Sequence, residues 1–153
     1  MNTTKRNKPI KIEAYLPLFI FYLVAVACRI VSVCILPTIV EGSKLTIWLE
    51  LGEGIGPALG AVIVTCCFKK KWTCTIAGKS WRRSVFCLTF PIALFLILDR
   101  ANGLKTTLLF LGCTLYAFFE EVGWRGYLTG EFSKLNQLKR VIIITILWFI
   151  WHI

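Results

Sequence analysis

The sequence predicts an all-α protein, a polytopic transmembrane helical bundle of four full membrane helices plus a truncated fifth. Three observations predict it. Hydrophobic residues fill 57% of the 153 positions, well above the roughly 45–50% of soluble domains. They gather in separate runs of helix length. Lys and Arg collect in alternate intervals between those runs, as topology charges do.

The first run spans about Tyr15 to Leu36 and is expected to end before Pro37. Its basic start resembles a secretory leader. The run is longer than a leader core, however, and continues past Arg29, so a retained helix is the reading. The second run covers about Ile47 to Phe68; both are long enough for the roughly 20 residues of a spanning helix. The third, about Ser84 to Leu98, reaches that length with Trp81 included. The fourth, about Thr106 to Phe119, continues into the motif FFEEVGWRGYL. The fifth starts at Val141 and stops at Ile153, in mid-membrane, so the chain is expected to be part of a longer one. Residues 1–14 form a tail, and residues 15–153 a membrane domain.

Orientation follows from the cations. Lys5, Arg6, Lys8 and Lys11 precede the first run. Lys69, Lys70, Lys71, Lys79, Arg82 and Arg83 follow the second, and Arg125, Lys134, Lys139 and Arg140 follow the fourth. The alternate intervals carry only Lys44, Arg100 and Lys105. An excess of cytoplasmic cations puts the N-terminus in the cytoplasm and the motif at the cytoplasmic end of the fourth helix. The net charge of +10 is therefore loop charge, not a nucleic-acid footprint. The expected partners are the lipid bilayer and a peptide or membrane-protein substrate. Seven cysteines show no C-x-x-C spacing and mostly lie inside apolar runs, which argues against a disulfide framework or a zinc knuckle.

Ionisable residues inside an apolar run are expensive and mark candidate sites. Glu121 and Arg125 are four apart on one helix face, in the favourable acidic-before-basic order. Glu120 points about 100° away from Glu121, flanked by Phe118 and Phe119. One carboxylate thus has a built-in cationic partner. The other sits in surroundings that disfavour its charge, which suits a group that takes a proton from water. The same residues, with Trp124 and Tyr127, also fit an interfacial anchor. His152 is the only histidine and lies inside the fifth run, with Trp148 one turn earlier on its face. The fourth and fifth helices are consecutive and antiparallel, so Glu120 and His152 are expected to meet.

Glu120-Glu121-x-x-x-Arg125 resembles the EExxxR signature of the CAAX-protease and bacteriocin-processing family of intramembrane proteases, which includes type II CAAX prenyl endopeptidases and lysostaphin-resistance-like proteins. Trp148-Phe149-Ile150-Trp151-His152 resembles the family's FxxxH motif, with Trp in the place of Phe. The resemblance runs from about residue 84 to 153, the protease-like core, and Gly56-Pro57-Ala58-Leu59-Gly60 also looks like the family. It implies that Glu120 activates water, that His152 assists, and that Glu121 and Arg125 support the site. It also implies a bacterial plasma-membrane endopeptidase or bacteriocin-immunity role. The alternative is a non-catalytic membrane protein: a bacteriocin-immunity or scaffold protein, or a piece of a transporter. The third motif of the family, His-x-x-x-Asn or His-x-x-x-Asp, supplies oxyanion stabilisation. It has no match in these residues, so this portion alone is expected to lack activity.

No cofactor is expected. The family has been called metalloprotease, and zinc is a conceivable occupant, but catalytic zinc takes three protein ligands. With Glu121 committed to Arg125, metal-independent hydrolysis is favoured. Glu50 and Glu53 share a face at the outer end of the second helix, where they read as an interfacial rim. Gly56 and Gly60 have the small-xxx-small spacing of close helix contacts. Arg29 either snorkels or pairs with one of those glutamates.

Overall fold

The computed structural model describes residues 15–39, 46–70 and 80–153, and the side chains among them except those of 39 and 46–50. The tail 1–14, Lys44, the side chain of Glu50 and residues 71–79, with Trp72 and Cys74, lie outside the described residues. The described chain is helical, with short turns between its rods. Helix α1 (Leu16–Ile30) passes through a π turn (Val31–Ile35) into α2 (Leu36–Ile39) as one rod. Then come α3 (Thr46–Cys67), α4 (Trp81–Leu98) and α5 (Gly103–Glu121). A second π turn (Val122–Tyr127) joins α5 to α6 (Leu128–Glu131), and α7 spans Gln137–His152.

Three boundaries differ from the sequence expectation. The first rod runs through Pro37 to Ile39 instead of stopping before it. A proline lacks the N–H that a regular helix would spend there, and the preceding π turn re-registers the bonds, with Leu36 N–H reaching Val31 O. The motif is not at the end of its helix. The rod that begins at Gly103 continues through the π turn to Glu131, about 40 Å at 1.5 Å per residue. Helix α7 begins at Gln137, four residues before the apolar run, because Asn136 caps it by accepting the Lys139 N–H at 2.9 Å.

Two helices, Leu16–Thr38 and Trp81–Leu98, are long and apolar enough to cross a bilayer, and Leu51–Cys67 is a shorter apolar stretch. Among the described residues, two of the four expected full spans meet that measure. The apolar stretch described in α3 begins only at Leu51, and α5 carries Lys105, Glu120 and Glu121.

Small residues bring α3 against α1. A Cβ at Gly52, Gly56 or Gly60 would come within 2.6 Å of Ser32 Oγ, 2.8 Å of Cys28 Cβ or 2.8 Å of Phe21 O, respectively. Glycines one turn apart thus form a flat stripe that lets the two backbones touch. The pairs 52–32 and 60–21 run in opposite senses, so α1 and α3 are antiparallel. Gly54 meets Tyr116 and Gly123 meets Pro57, so α3 and α5 are parallel. Tyr22 donates to Leu147 O and Trp151 to Ala25 O, so α1 and α7 are parallel as well. Phe21, Ala25, Ala61, Val64, Trp124, Tyr127, Leu128 and Trp151 form the core between these helices.

At the end of α3, Lys69 adopts φ 49°, a left-handed conformation that costs a non-glycine residue about 1 kcal/mol or more. The turn closes with Lys70 N–H on Thr65 O at 3.0 Å. It also aims the Lys70 ammonium at Glu131, 2.5 Å away, over the Tyr127 ring. The beginning of α5 is fixed by Asp99, which accepts from Asn102 N–H through its carboxylate and from Gly103 N–H through its carbonyl. Cys28, Cys34, Cys66, Cys67, Cys87 and Cys113 are free thiols.

Candidate active site

The two glutamates of the motif go to opposite environments, as adjacent positions on a helix must. Glu121 and Arg125 form an ion pair one turn apart, with both side chains largely exposed. Glu120 turns inward and is only 9% exposed. One backbone feature seats the inward face. The π turn that starts at Val122 swings Gly123 onto α3, where a Cβ would lie 2.5–2.6 Å from Pro57, backbone included. Only glycine permits that approach. It draws the inner face of the motif against α1, α3 and α7, with Trp124 buried between Phe21 and Trp151.

His152 arrives from α7. Its Nε2 lies 4.0 Å from Glu120 Oε1, and its Nδ1 lies 3.0 Å from Trp148 O, one turn earlier. A carbonyl accepts hydrogen bonds and cannot donate them, so that contact puts a proton on Nδ1. In the neutral imidazole the lone pair of Nε2 therefore faces the carboxylate. The other carboxylate oxygen, Oε2, accepts the Nε1–H of Trp148 at 3.3 Å. Oε1 has no hydrogen-bond partner among the described residues. It is a buried acceptor turned toward an imidazole at a distance too long for a direct bond, and a solvent molecule placed beside both atoms would reach each of them.

A further layer holds the imidazole from behind. Arg29 pairs with Glu53 at 2.7 Å and donates to the carbonyl of His152 at 2.8 Å. Its guanidinium stands 4.9 Å from the Trp151 ring, and Trp151 in turn donates to Ala25 O at 3.0 Å. The open alternative for Arg29 is thus decided in favour of pairing, and its partner is Glu53. Tyr116, one turn before Glu120, lies close enough to Glu120, Glu53 and Arg29 to feel all three charges.

The structure brings together Glu120 and His152 and leaves the Glu121–Arg125 pair outside. Sequence reasoning placed Trp148 against the imidazole, and the rings are 4.0 Å apart between centroids. It missed the bond from Trp148 to Glu120 and the link from Arg29 to His152. The first needs the relative rotation of two helices, which a single sequence does not carry. The second had a signal, a lone cation inside an apolar run, which must find a partner or leave the bilayer.

A catalytic zinc needs three protein donors. Among the described residues no three His, Cys, Asp or Glu side chains converge. At the site itself only Glu120 and His152 face one another, while Glu121 is turned out to Arg125. The donor set of the described residues does not fit a zinc ion.

Fold and site together define a helical protein with apolar, membrane-length helices and an inward glutamate–histidine pair. Residues 102–153, about a third of the chain, match a family model described as Type II CAAX prenyl endopeptidase Rce1-like. The matched segment contains Glu120, Glu121, Arg125, Trp148 and His152, the residues that carry the resemblance in the sequence. No curated protein and no solved structure matches the chain.

Proposed function

We propose that this chain carries the water-activating part of an intramembrane endopeptidase. The observation that carries the reading is the buried, unpartnered Oε1 of Glu120 facing Nε2 of His152 at 4.0 Å. The match of residues 102–153 to a family of endopeptidases supports it. In this reading α1, α3, α4 and α5 span the membrane and α7 enters it as a fifth helix. The N-terminus faces the cytoplasm, and the site opens toward the cytoplasmic leaflet of a plasma membrane.

The chemistry follows from the groups present. Glu120, as carboxylate, accepts a proton from a water held between Oε1 and Nε2. The resulting hydroxide adds to the carbonyl carbon of the scissile peptide bond. Collapse of the tetrahedral adduct breaks the C–N bond, and the proton on Glu120 passes to the leaving amine. His152 orients the water through Nε2 and, when doubly protonated, offsets negative charge building on the adduct. Arg29 and Glu53 hold the backbone that presents the imidazole. Glu121 and Arg125 stiffen the widened turn. The substrate class is a peptide or membrane-anchored protein, with prenylated C-terminal peptides the class that the matched family's description names.

The test is hydrolysis in proteoliposomes of a quenched fluorescent peptide bearing a prenylated cysteine, alongside the same peptide without the prenyl group. Joined to a membrane segment that supplies the His-x-x-x-Asn or His-x-x-x-Asp motif, the wild-type chain is expected to cleave at least one of them. Glu120→Gln and His152→Ala should each lose cleavage by about a hundredfold or more, and Glu121→Gln should stay within about tenfold. Full activity in Glu120→Gln, or no cleavage of either peptide by the wild type with that motif supplied, would overturn the reading.

A further inference from the structure

We infer that Trp148 is a positioning residue, whose indole N–H selects which oxygen of Glu120 faces His152. The inference rests on the proposed hydrolytic reading and deepens it. Three contacts converge on this one residue. Its Nε1–H donates to Glu120 Oε2 at 3.3 Å. Its ring packs on the imidazole of His152 with centroids 4.0 Å apart. Its carbonyl receives the Nδ1 proton of the same imidazole at 3.0 Å.

The last two contacts do not require tryptophan. Any backbone supplies the carbonyl, and a phenyl ring supplies the packing. The first contact does require it, because a phenyl ring has no hydrogen to donate. The sequence motif that this segment resembles has Phe at this position, and here Trp stands in its place. The exchange adds one donor, aimed at the one carboxylate that faces inward.

The consequence is positional. A glutamate at the end of a flexible side chain can present either oxygen, and rotation about its last torsion is broad. With Oε2 tied to α7 through the indole, Oε1 is left free and turned toward Nε2, 4.0 Å away. Charged and titratable groups on the surrounding elements do not duplicate the tie. Arg29 on α1 is engaged by Glu53 of α3 and the His152 carbonyl, and Arg125 by Glu121. Tyr116 on α5, one turn before Glu120, also hydrogen-bonds to this carboxylate, but from the same helix and so without linking it to α7. Trp148 is thus the described donor that links the carboxylate across helices to the element carrying the histidine.

Two measurements test this on the full chain, one without any activity. With ¹⁵N-indole labelling, the Trp148 N–H resonance is assigned as the signal missing from Trp148→Phe. It should move in Glu120→Gln and stay put in Glu121→Gln. A Trp148 resonance that ignores Glu120→Gln shows that the bond does not form and overturns the inference, whatever the enzyme does. In the peptide assay, Trp148→Phe keeps the ring and loses the donor. It should lower kcat about tenfold, the effect of one lost hydrogen bond to a charged group, and leave KM within about twofold. A Trp148→Phe enzyme with wild-type kcat also overturns it. Absence of cleavage by the wild type would count against the hydrolytic reading alone, because the resonance still reports the contact.

Discussion

Helices α3 and α4 have much in common. Each is long, each has a proline inside it, and each belongs to an apolar run that the sequence reads as a membrane helix. They end up in opposite situations. No residue of α4 is buried, and Trp81, Phe86, Phe90, Ile97 and Leu98 all stand exposed. Helix α3 buries Gly54, Gly56, Pro57, Ala58, Gly60, Ala61 and Val64 and adds the carboxylate of Glu53 to the site. The helix with the larger apolar side chains is the one that touches least. In a bilayer, greasy side chains gain nothing by leaving lipid for protein, so helix contacts go to small residues that let backbones approach and to polar groups that need partners. Apolar content marks where the membrane is. Glycines and lone charges mark where the helices meet and where chemistry can be housed.

That contrast can be broken by substitution, most severely where the packed side is fullest. Trp151→Ala removes a ring that is 2% exposed, along with its bond to Ala25. It should cost about 4 kcal/mol in thermal unfolding in detergent, and a loss below about 1 kcal/mol would show that the core does not depend on it. Gly123→Ala forces a methyl into the Pro57 backbone and should cost about 3 kcal/mol. The same methyl at Gly112, where nothing lies within 4 Å, should be harmless. Equal losses at the two glycines would refute the close approach of the π turn to α3. Glu53→Gln strips Arg29 of its partner and should cost about 1–2 kcal/mol, part of it recovered in the double variant Arg29→Met/Glu53→Gln. No recovery would mean that the two side chains act independently. On α4, Ile97→Ala should change stability by less than about 0.5 kcal/mol, and a large loss there would dissolve the contrast itself.

Much of this arrangement is legible in the residues and some is not. The helical class follows from run length and composition. The opposite fates of Glu120 and Glu121 follow from the 100° step between neighbours, and the pairing of Glu121 with Arg125 from their spacing. Gly56 and Gly60 announce a close contact, though not that Gly52 extends it along Ser32 or that Gly123 makes another against Pro57. The π turns are invisible in the sequence, because nothing in Val31–Ile35 or Val122–Tyr127 opposes an ordinary helix locally. They arise from Pro37 in one case and from tertiary packing in the other. They move boundaries, which is why the first rod outruns Pro37 and the motif lies inside a helix instead of at its tip. Arg29 was recognisable as a problem but not as a solution, since its partners lie on α3 and α7.

The central claim is that the inward carboxylate and the sole histidine are neighbours. Because His152 is the only histidine in the chain, ¹⁵N-histidine labelling gives one imidazole to watch, with no assignment to dispute. In detergent or lipid, the Nε2 resonance should move when Glu120 becomes Gln and hold its place when Glu121 does. A resonance blind to Glu120→Gln, or one that answers equally to both glutamates, would contradict the account.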